Sequence, residues 1–240
     1  MLNGIKIRVY KRYMVYGKKK RPQKKKYTGC STPSKIGAYA TAGSKVVKLA
    51  ADLYRLKQLV NVEFKWKDSH LGSTVGSSGT LVLLNGLAQG DGYNNREGVS
   101  IRNKSLLCKG YCTINASATG TIVRRVIFIN RQPQNATPGA SAVIDNVLTN
   151  LALGPRNLNN RSDIVILKDD MVHLSQNGDQ IASFPDWYYD LNMHTYYSTG
   201  SSTGNIADIS TGALYALYVS TEATNTPTIE AIHRLRFIDN

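Results

Sequence analysis

The stretch Leu59–Lys67 reads Leu-Val-Asn-Val-Glu-Phe-Lys-Trp-Lys, and its pattern decides the class of the fold. Apolar residues alternate with polar or charged residues at Val60, Val62, Phe64 and Trp66. Such alternation is typical of a β-strand that has one face against a core. The sequence therefore changes here from a basic N-terminal part to a body built from strands.

The rest of the chain carries strand patterns at regular intervals, with turn signals between them. The predicted strands are Leu59–Lys67, Thr80–Leu87, Gly98–Asn115, Thr121–Ile129, Asp163–Ser175, Ile181–Tyr197, Ala213–Ser220 and Ile229–Ile238. A Gly- and Ser-rich loop is predicted over Asp68–Gly79, and the apolar cluster Ala142–Leu153 is compatible with a short helix. This order indicates an antiparallel sandwich or barrel and not βαβ units.

The predicted connections alternate in length. Those after the first, third, fifth and seventh strands are compact, and the connection after the fourth strand is the longest. In a two-sheet jelly roll, consecutive connections lie at opposite ends of the sandwich. The strand pattern alone predicts an all-β antiparallel sandwich or barrel, and the alternation of connection lengths fits the first of these. The fold that we carry forward, together with the family resemblance given below, is an eight-stranded antiparallel single jelly roll (a two-sheet sandwich) with a basic N-terminal arm and a short N-terminal helix.

The charge of the chain is concentrated before this body. Residues 1–51 contain 14 Lys or Arg and no Asp or Glu, whereas the remaining residues contain 16 of each sign. The whole formal net charge of +14 therefore lies in the N-terminal part. Its densest run, Lys18–Lys26, cannot pack into a core, because burial of unpaired ammonium groups is too unfavourable. This run must stay in water or meet a polyanion.

Three regions follow from these patterns. Residues 1–33 are the polybasic arm, residues 34–57 are a basic amphipathic helix and linker, and residues 58–240 are the jelly-roll domain. Apolar residues at helical spacing predict the helix over about 44–57, with one apolar face that should lie against another element. The N-terminus has no apolar segment typical of a secretory signal, and no stretch is long enough to span a membrane.

The arm has the physical properties of a nucleic-acid-binding segment. Lys and Arg near phosphates release counterions, and the interleaved tyrosines are suited to stack on unpaired bases. Two alternatives remain for these features: the tyrosines contact a neighbouring subunit, or the charged run is a solvated tail or acts only in nuclear import. The candidate nucleic-acid-binding residues are Lys6, Arg8, Lys11, Arg12, Tyr13, Tyr16, Lys18, Lys19, Lys20, Arg21, Lys24, Lys25, Lys26, Lys45 and Lys48. The candidate import signal is Lys18, Lys19, Lys20, Arg21, Lys24, Lys25 and Lys26.

No specific catalytic motif is present in the sequence. The four histidines are scattered, and the cysteines lack the Cys-x-x-Cys spacing of a zinc site. Cys108 and Cys112 fit reduced, partly buried thiols. The pair Asp169-Asp170 is interpreted as a kink at a turn in water, with a hard-cation site at a subunit contact as the alternative. We therefore expect no enzymatic activity, cofactor, metal or small-molecule substrate.

The order of a polybasic arm, a short helix and the strand Leu59–Lys65 resembles the capsid proteins of circular Rep-encoding single-stranded DNA viruses, which include circovirus-like viruses. The resemblance is nearest to shells similar to that of satellite tobacco necrosis virus. It continues at Arg96–Ser105, Val165–Asp169 and Trp187–Leu191 and covers nearly the whole chain. Many relatives have arms richer in Arg, whereas this arm prefers Lys.

The resemblance implies a viral capsid protein. Sixty copies would form a T=1 icosahedral shell with the arm inside, the short connections around the five-fold axes, and a single-stranded genome, DNA rather than RNA, bound without sequence specificity. The protein would occur in the virion and, during assembly, in the host nucleus. One alternative is a non-capsid nucleic-acid-binding, movement or nuclear shuttle protein with a β-sandwich body. A second is a β-sandwich hydrolase with a basic tail.

Overall fold

The computed structural model describes residues 46–53, 64–146, 150–200 and 202–239 of the chain. The chain divides into two units, Met1–Val60 and Asn61–Asn240. In the first unit, residues 46–53 form helix α1, within the range predicted for the helix. The second unit is a β-sandwich. Within the described ranges, no helix combines the length and the apolar character that a membrane crossing requires.

The described part of the second unit contains ten strands. They are β1 (Phe64–Thr74), β2 (Thr80–Leu83), β3 (Ser100–Thr113), β4 (Gly120–Asn130), β5 (Ile164–Ser175), β6 (Ile181–Ser183), β7 (Trp187–Tyr197), β8 (Ile209–Thr211), β9 (Ala213–Ser220) and β10 (Thr228–Asp239). The connections hold helix α2 (Ala140–Val143) and two 3-10 helices (Leu151–Leu153 and Ile206–Asp208).

The strands form two antiparallel sheets. The six-stranded sheet has the order β1-β10-β3-β7-β8, and β6 pairs with β3 beside this path. The four-stranded sheet has the order β2-β9-β4-β5. Without the two three-residue strands β6 and β8, eight strands remain in the orders β1-β10-β3-β7 and β2-β9-β4-β5. This is the double Greek-key order of a jelly roll, and it confirms the predicted fold class.

The connections between the long strands alternate as the sequence predicts. Short connections over 75–79, 114–119 and 221–227 join β1 to β2, β3 to β4 and β9 to β10. Longer connections over 84–99 and 131–163 follow β2 and β4, and the path from β7 to β9 also includes a 3-10 helix and β8. Successive connections of a jelly roll lie at opposite ends. We call the end with the short connections the narrow end and the opposite end, from which the longer connections leave the sheets, the broad end. Part of 131–163 returns to the narrow end, where the Asn150 side chain donates a hydrogen bond to the Thr221 carbonyl oxygen.

Strand β1 turns its aromatic residues away from the core. Phe64 and Trp66 are 65% and 42% exposed, whereas Lys65 is 1% exposed and Lys67 is half-buried. Leu71 belongs to the core and sets this phase, because every second residue before it points to the same side. A shift of one residue would reverse the two faces. The alternation thus predicts the strand correctly, but the aromatic residues of the pattern lie on the outward face.

Two predicted boundaries were wrong. The predicted loop over Asp68–Gly79 begins too early, because β1 continues to Thr74, which still pairs with Thr228 of β10. The polar residues of this segment are tolerated because β1 is an edge strand of its sheet. The stretch predicted as extended over Ile181–Tyr197 is divided into β6 and β7. Pro185 lies in the break, and proline cannot donate a ladder hydrogen bond.

Strand β9 is buried on both faces and lies in the middle of the fold. Its residues Leu214, Ala216 and Tyr218 belong to the core cluster that contains residues of both sheets. Its alternate residues, such as Tyr215, pack in a second cluster with Val143 from the connection 131–163. That connection therefore covers the outer face of the four-stranded sheet. Instead of one helix over 142–153, it contains α2 and a separate 3-10 helix.

The interpretation of Asp169 and Asp170 as a turn in water was wrong. Both residues lie within β5, and each forms an ion pair with an arginine of β4. Arg124 Nη2 lies 2.6 Å from Asp169 Oδ2, and Arg125 Nη2 lies 2.6 Å from Asp170 Oδ2. Neighbouring strand residues point to opposite faces, so the two pairs occupy opposite sides of the sheet. The carboxylates thus compensate two buried arginines.

Candidate nucleic-acid interface

The predicted nucleic-acid-binding residues lie outside the described residues, with the exception of Lys48. The predicted import signal also lies outside them. Lys48 belongs to α1, and its side chain is exposed. The structure therefore leaves the roles of the arm residues as predictions.

Helix α1 carries exposed apolar residues beside Lys48. Val46, Val47, Leu49 and Leu53 are between 59% and 69% exposed. The predicted packing of this apolar face against another element stays a prediction. An amphipathic helix normally gains much of its stability from such packing.

The described part of the body offers a cluster of exposed aromatic and cationic side chains at the start of β1. Trp66 lies opposite Arg236 of β10 in the strand register, and Arg236 lies opposite Ser105 of β3. The ring of Trp66 is 4.9 Å from the ring of Tyr93, measured between centroids, at an interplanar angle of 30°. Phe64 is the preceding outward residue on β1. Together they place aromatic faces next to a guanidinium group.

Arg234 extends this cluster along β10. Phe64, Trp66, Arg234 and Arg236 line one surface groove. Arg234 forms a bidentate pair with Asp68, with both N···O distances at 2.7 Å. Hydrogen bonds from Arg234 lower the pKa of Asp68. Arg236 forms no ion pair with any described residue. We name Phe64, Trp66, Tyr93, Arg234 and Arg236 the aromatic–arginine face.

Buried charges on the opposite side of β1 hold this face in position. The Lys65 ammonium lies 2.6 Å from Glu97 Oε1 and 3.5 Å from Asp239 Oδ2. The Asp239 carboxylate also accepts a hydrogen bond from the backbone N–H of Glu97. These contacts join the start of β1 to the end of β10 and to the connection 84–99. Because Lys65 points inward and is satisfied there, Phe64 and Trp66 must point outward.

The connection that carries Tyr93 is itself fixed. Arg96 is buried, and its guanidinium carbon lies 4.1 Å from the centroid of the Tyr197 ring, a cation–π contact. Arg96 Nη1 also donates a hydrogen bond of 2.5 Å to the carbonyl oxygen of Gly98. The carbonyl oxygen of Tyr93 accepts a hydrogen bond of 3.2 Å from the N–H of Trp66. Tyr93 is thus positioned beside Trp66 by backbone and side-chain contacts together.

The histidines and cysteines form no catalytic arrangement in the described ranges. Burial raises the pKa of Cys108 to about 12 and that of Cys112 to about 11, so both thiols are protonated at neutral pH and are poor nucleophiles. Both are free and buried in β3, as the sequence suggested. Among the described residues, no group of three or more His, Cys, Asp or Glu is placed to hold a metal ion.

His233 is buried in the sandwich, and we therefore predict that the stability of the protein depends on pH. Its Nε2 lies 2.9 Å from Tyr218 Oη, and burial lowers its pKa to about 4. The pKa of histidine in an unfolded chain is about 6.5. Below that pH, His233 binds a proton in the unfolded chain but stays neutral in the folded chain. Stability should therefore fall between pH 6.5 and 4, by about 2 kcal/mol between pH 7 and 5.

Denaturant unfolding of the full chain at pH 7 and pH 5 measures this effect. A His233→Phe variant is the control, because it has no group to protonate and should lose most of the difference between the two pH values. An equal pH dependence in both proteins would assign the effect to other groups.

The residues of the aromatic–arginine face were missed as site residues by sequence reasoning. Phe64 and Trp66 were seen only as part of a strand pattern, and Arg236 as one charge in a neutral body. Lys65 and Lys67 alternate with Phe64 and Trp66 along the strand, so the charged set and the aromatic set have the same period of two residues. Either set fits the outward face until the phase of the strand is known.

Comparisons with known proteins give no family assignment. No family model and no curated protein matches the sequence. Among solved structures, the chain is similar to one described as Desmodium yellow mottle tymovirus, with 8% identity, a TM-score of 0.36, and coverage of 74% of this chain and 88% of that chain. It is also similar to the VP2 subviral particle of infectious bursal disease virus, with 16% identity, a TM-score of 0.14, and coverage of 75% and 43%. Because both TM-scores are below 0.5, the jelly-roll assignment rests on the strand order of the chain itself.

Proposed function

We propose that this chain is a structural coat protein of a small single-stranded DNA virus, without enzymatic activity. The observation that carries the proposal is the combination of an electrically neutral jelly-roll body with an N-terminal part that holds the whole net charge of +14. The body would form the shell, and the arm would collect the genome. A division of this kind is expected of a subunit that must repeat without self-repulsion on its outside while it binds a polyanion inside.

The arm would bind single-stranded nucleic acid without sequence specificity. Counterion release from phosphates supplies affinity that depends on charge and not on base identity. Sixty copies would bring about 840 positive charges to the interior, the scale of a genome of one to a few thousand nucleotides. Lys18–Lys26 would also serve in import to the host nucleus before assembly.

The broad and narrow ends of the sandwich support a shell of about sixty subunits. A tapered subunit packs its narrow end around an axis of higher symmetry and its broad end around axes of lower symmetry. The short connections 75–79, 114–119 and 221–227 would then surround the five-fold axes. The longer connections 84–99 and 131–163 would form contacts at the three-fold and two-fold axes.

A second candidate function is a nucleic-acid-binding, movement or nuclear shuttle protein that acts as a monomer or dimer. Nuclease protection separates the two. The full-length chain is expressed, purified with its bound nucleic acid and treated with nuclease. A coat protein should protect most of that nucleic acid, because the shell excludes the enzyme. Complete digestion, with the protein intact, would favour the second candidate.

A further inference from the structure

The outward side of β1, β10 and β3 carries a cluster of exposed aromatic side chains, which is unusual for a sheet surface that faces only solvent. Phe64, Trp66 and Tyr93 are 65%, 42% and 59% exposed and lie within one cluster. Exposed apolar clusters of this kind usually mark an interaction surface. On the inward side of β1, the buried Lys65 forms ion pairs with Glu97 and Asp239. These pairs fix the phase of the strand, so the charged residue points inward and the aromatic rings point outward. The ion pairs of Lys65 therefore stabilise the strand orientation in which the rings are exposed.

The charges around the rings identify the kind of partner. Arg236 lies directly opposite Trp66, and Arg102 lies opposite Ile238 on the same side of the sheet. Arg102 donates hydrogen bonds to Asn192 and is not neutralised by it. Two carboxylates lie on the outward side at this end. Asp68 pairs with Arg234, and the exposed Asp190 of β7 lies opposite Ser105 in the register. The face thus combines aromatic rings with a surplus of positive charge.

We propose that the aromatic–arginine face is a second nucleic-acid contact, on which unpaired bases stack against Trp66 and its neighbours while Arg236 contacts a phosphate. This inference rests on the proposed function, since it adds a contact on the body to the one assigned to the arm. Base stacking on an aromatic side chain is tolerant of sequence, because every base has a π-face. The contact would therefore add affinity without adding specificity.

Single-stranded nucleic acid fits this face better than a two-fold contact with a second copy of the chain does. In a two-fold contact the same patch meets itself, so a positively charged patch would repel its own copy. A polyanion with exposed bases satisfies the rings and the guanidinium groups together.

The two tryptophans of the chain give a direct test. Trp66 is the probe on the face, and Trp187 packs at the edge of the core with its ring 5.2 Å from that of Tyr189. A full-length Trp187→Phe variant therefore reports on Trp66 alone, and a full-length Trp66→Phe variant reports on Trp187 alone. Each is first dissociated into subunits and freed of nucleic acid, because a closed shell would keep an added oligonucleotide from an inner face. The subunits are then titrated with a thymidine oligonucleotide of about 20 nucleotides in about 0.3 M NaCl, where binding by simple charge attraction is weakened. Anisotropy of a labelled oligonucleotide measures total binding in parallel.

At saturation, we expect the emission of Trp66 to fall by at least about a third, because an excited indole stacked on a base is quenched by electron transfer to that base. The emission of Trp187 should change by less than about a tenth. Trp66→Ala should weaken oligonucleotide binding about tenfold in this salt, whereas Trp66→Phe should keep most of the affinity. Arg236→Gln should lower the salt dependence of binding by about one phosphate contact.

Each other outcome overturns the inference in a distinguishable way. Binding seen by anisotropy with unchanged Trp66 emission would leave the proposed function intact and remove this contact. Equal quenching of both tryptophans would contradict stacking at this face. A change of Trp66 emission with protein concentration alone would assign the face to a second copy. Absence of any oligonucleotide binding would overturn the proposed function as well.

Discussion

Removal of residues 1–33 should leave a chain that folds and assembles but retains less than about a tenth of the nucleic acid bound by the full-length protein. This segment holds eleven of the fourteen basic residues that precede Asp52. Each phosphate contact that is lost removes released counterions and lowers the affinity multiplicatively. The strands of the jelly roll lie within 64–239, so the deletion removes none of the core residues that the structure describes.

Two controls separate charge from length and from sequence. A chain in which the eleven basic residues of 1–33 are replaced by Gln keeps the length of the arm and should behave like the deletion. A chain in which its lysines are replaced by Arg keeps the charge and should package nucleic acid normally. The readout is the ratio of absorbance at 260 and 280 nm for purified assemblies. Unchanged nucleic-acid content in the deleted or neutral chain would refute the role of the arm.

Asp170→Asn should lower the free energy of unfolding by about 3–5 kcal/mol, the largest stability effect that we expect from a single substitution. Arg125 is fully buried, and Asp170 is the carboxylate that pairs with it. The other contacts of its guanidinium, such as the Pro185 carbonyl oxygen and the face of Phe184, are with uncharged groups. Loss of the carboxylate leaves a buried charge without compensation, which costs more than the pair itself contributes.

Asp169→Asn is the matched control for this prediction. Asp169 is 34% exposed, and its partner Arg124 also donates to the carbonyl oxygens of Ala152 and Gly154. The remaining bonds should limit the loss of stability to about 1–2 kcal/mol. The double variant Arg125→Met with Asp170→Leu should recover most of the loss, because it removes both buried charges. It leaves Lys168, whose ammonium lies 3.0 Å from Asp170 Oδ1, but this side chain is half-buried and can reach water. Equal effects of the two single substitutions, measured by urea unfolding, would contradict the account of the pair.

The strands could be predicted from the sequence because the residue preferences of each segment agree with its burial in the fold. Thr121–Ile129 and Ala213–Ser220 are rich in apolar and β-branched residues, and the structure places β4 and β9 there. Both strands are central in their sheet and covered on both sides, so burial and local preference agree. The alternation of connection lengths fitted a jelly roll, and the resemblance to viral capsid proteins selected this fold from the antiparallel sandwiches and barrels that the strand pattern left open.

The sequence did not predict which face of β1 points to the core. A strand pattern with period two gives two candidate faces, and the choice depends on partners that are distant in sequence. Lys65 is buried because Glu97 and Asp239 reach it from another connection and another strand. The same holds for Asp170, whose arginine is set by the register of β4 with β5. Such pairs depend on register, which a single sequence does not contain.

The central claim, that this chain builds a closed shell, is tested most directly by electron microscopy of the purified full-length protein. The account predicts uniform icosahedral particles about 20 nm across, in which each subunit of 26.4 kDa shows the two sheets in the orders β1-β10-β3-β7 and β2-β9-β4-β5. A monomer or dimer at every salt concentration, with no particles in the presence of single-stranded DNA, would contradict it.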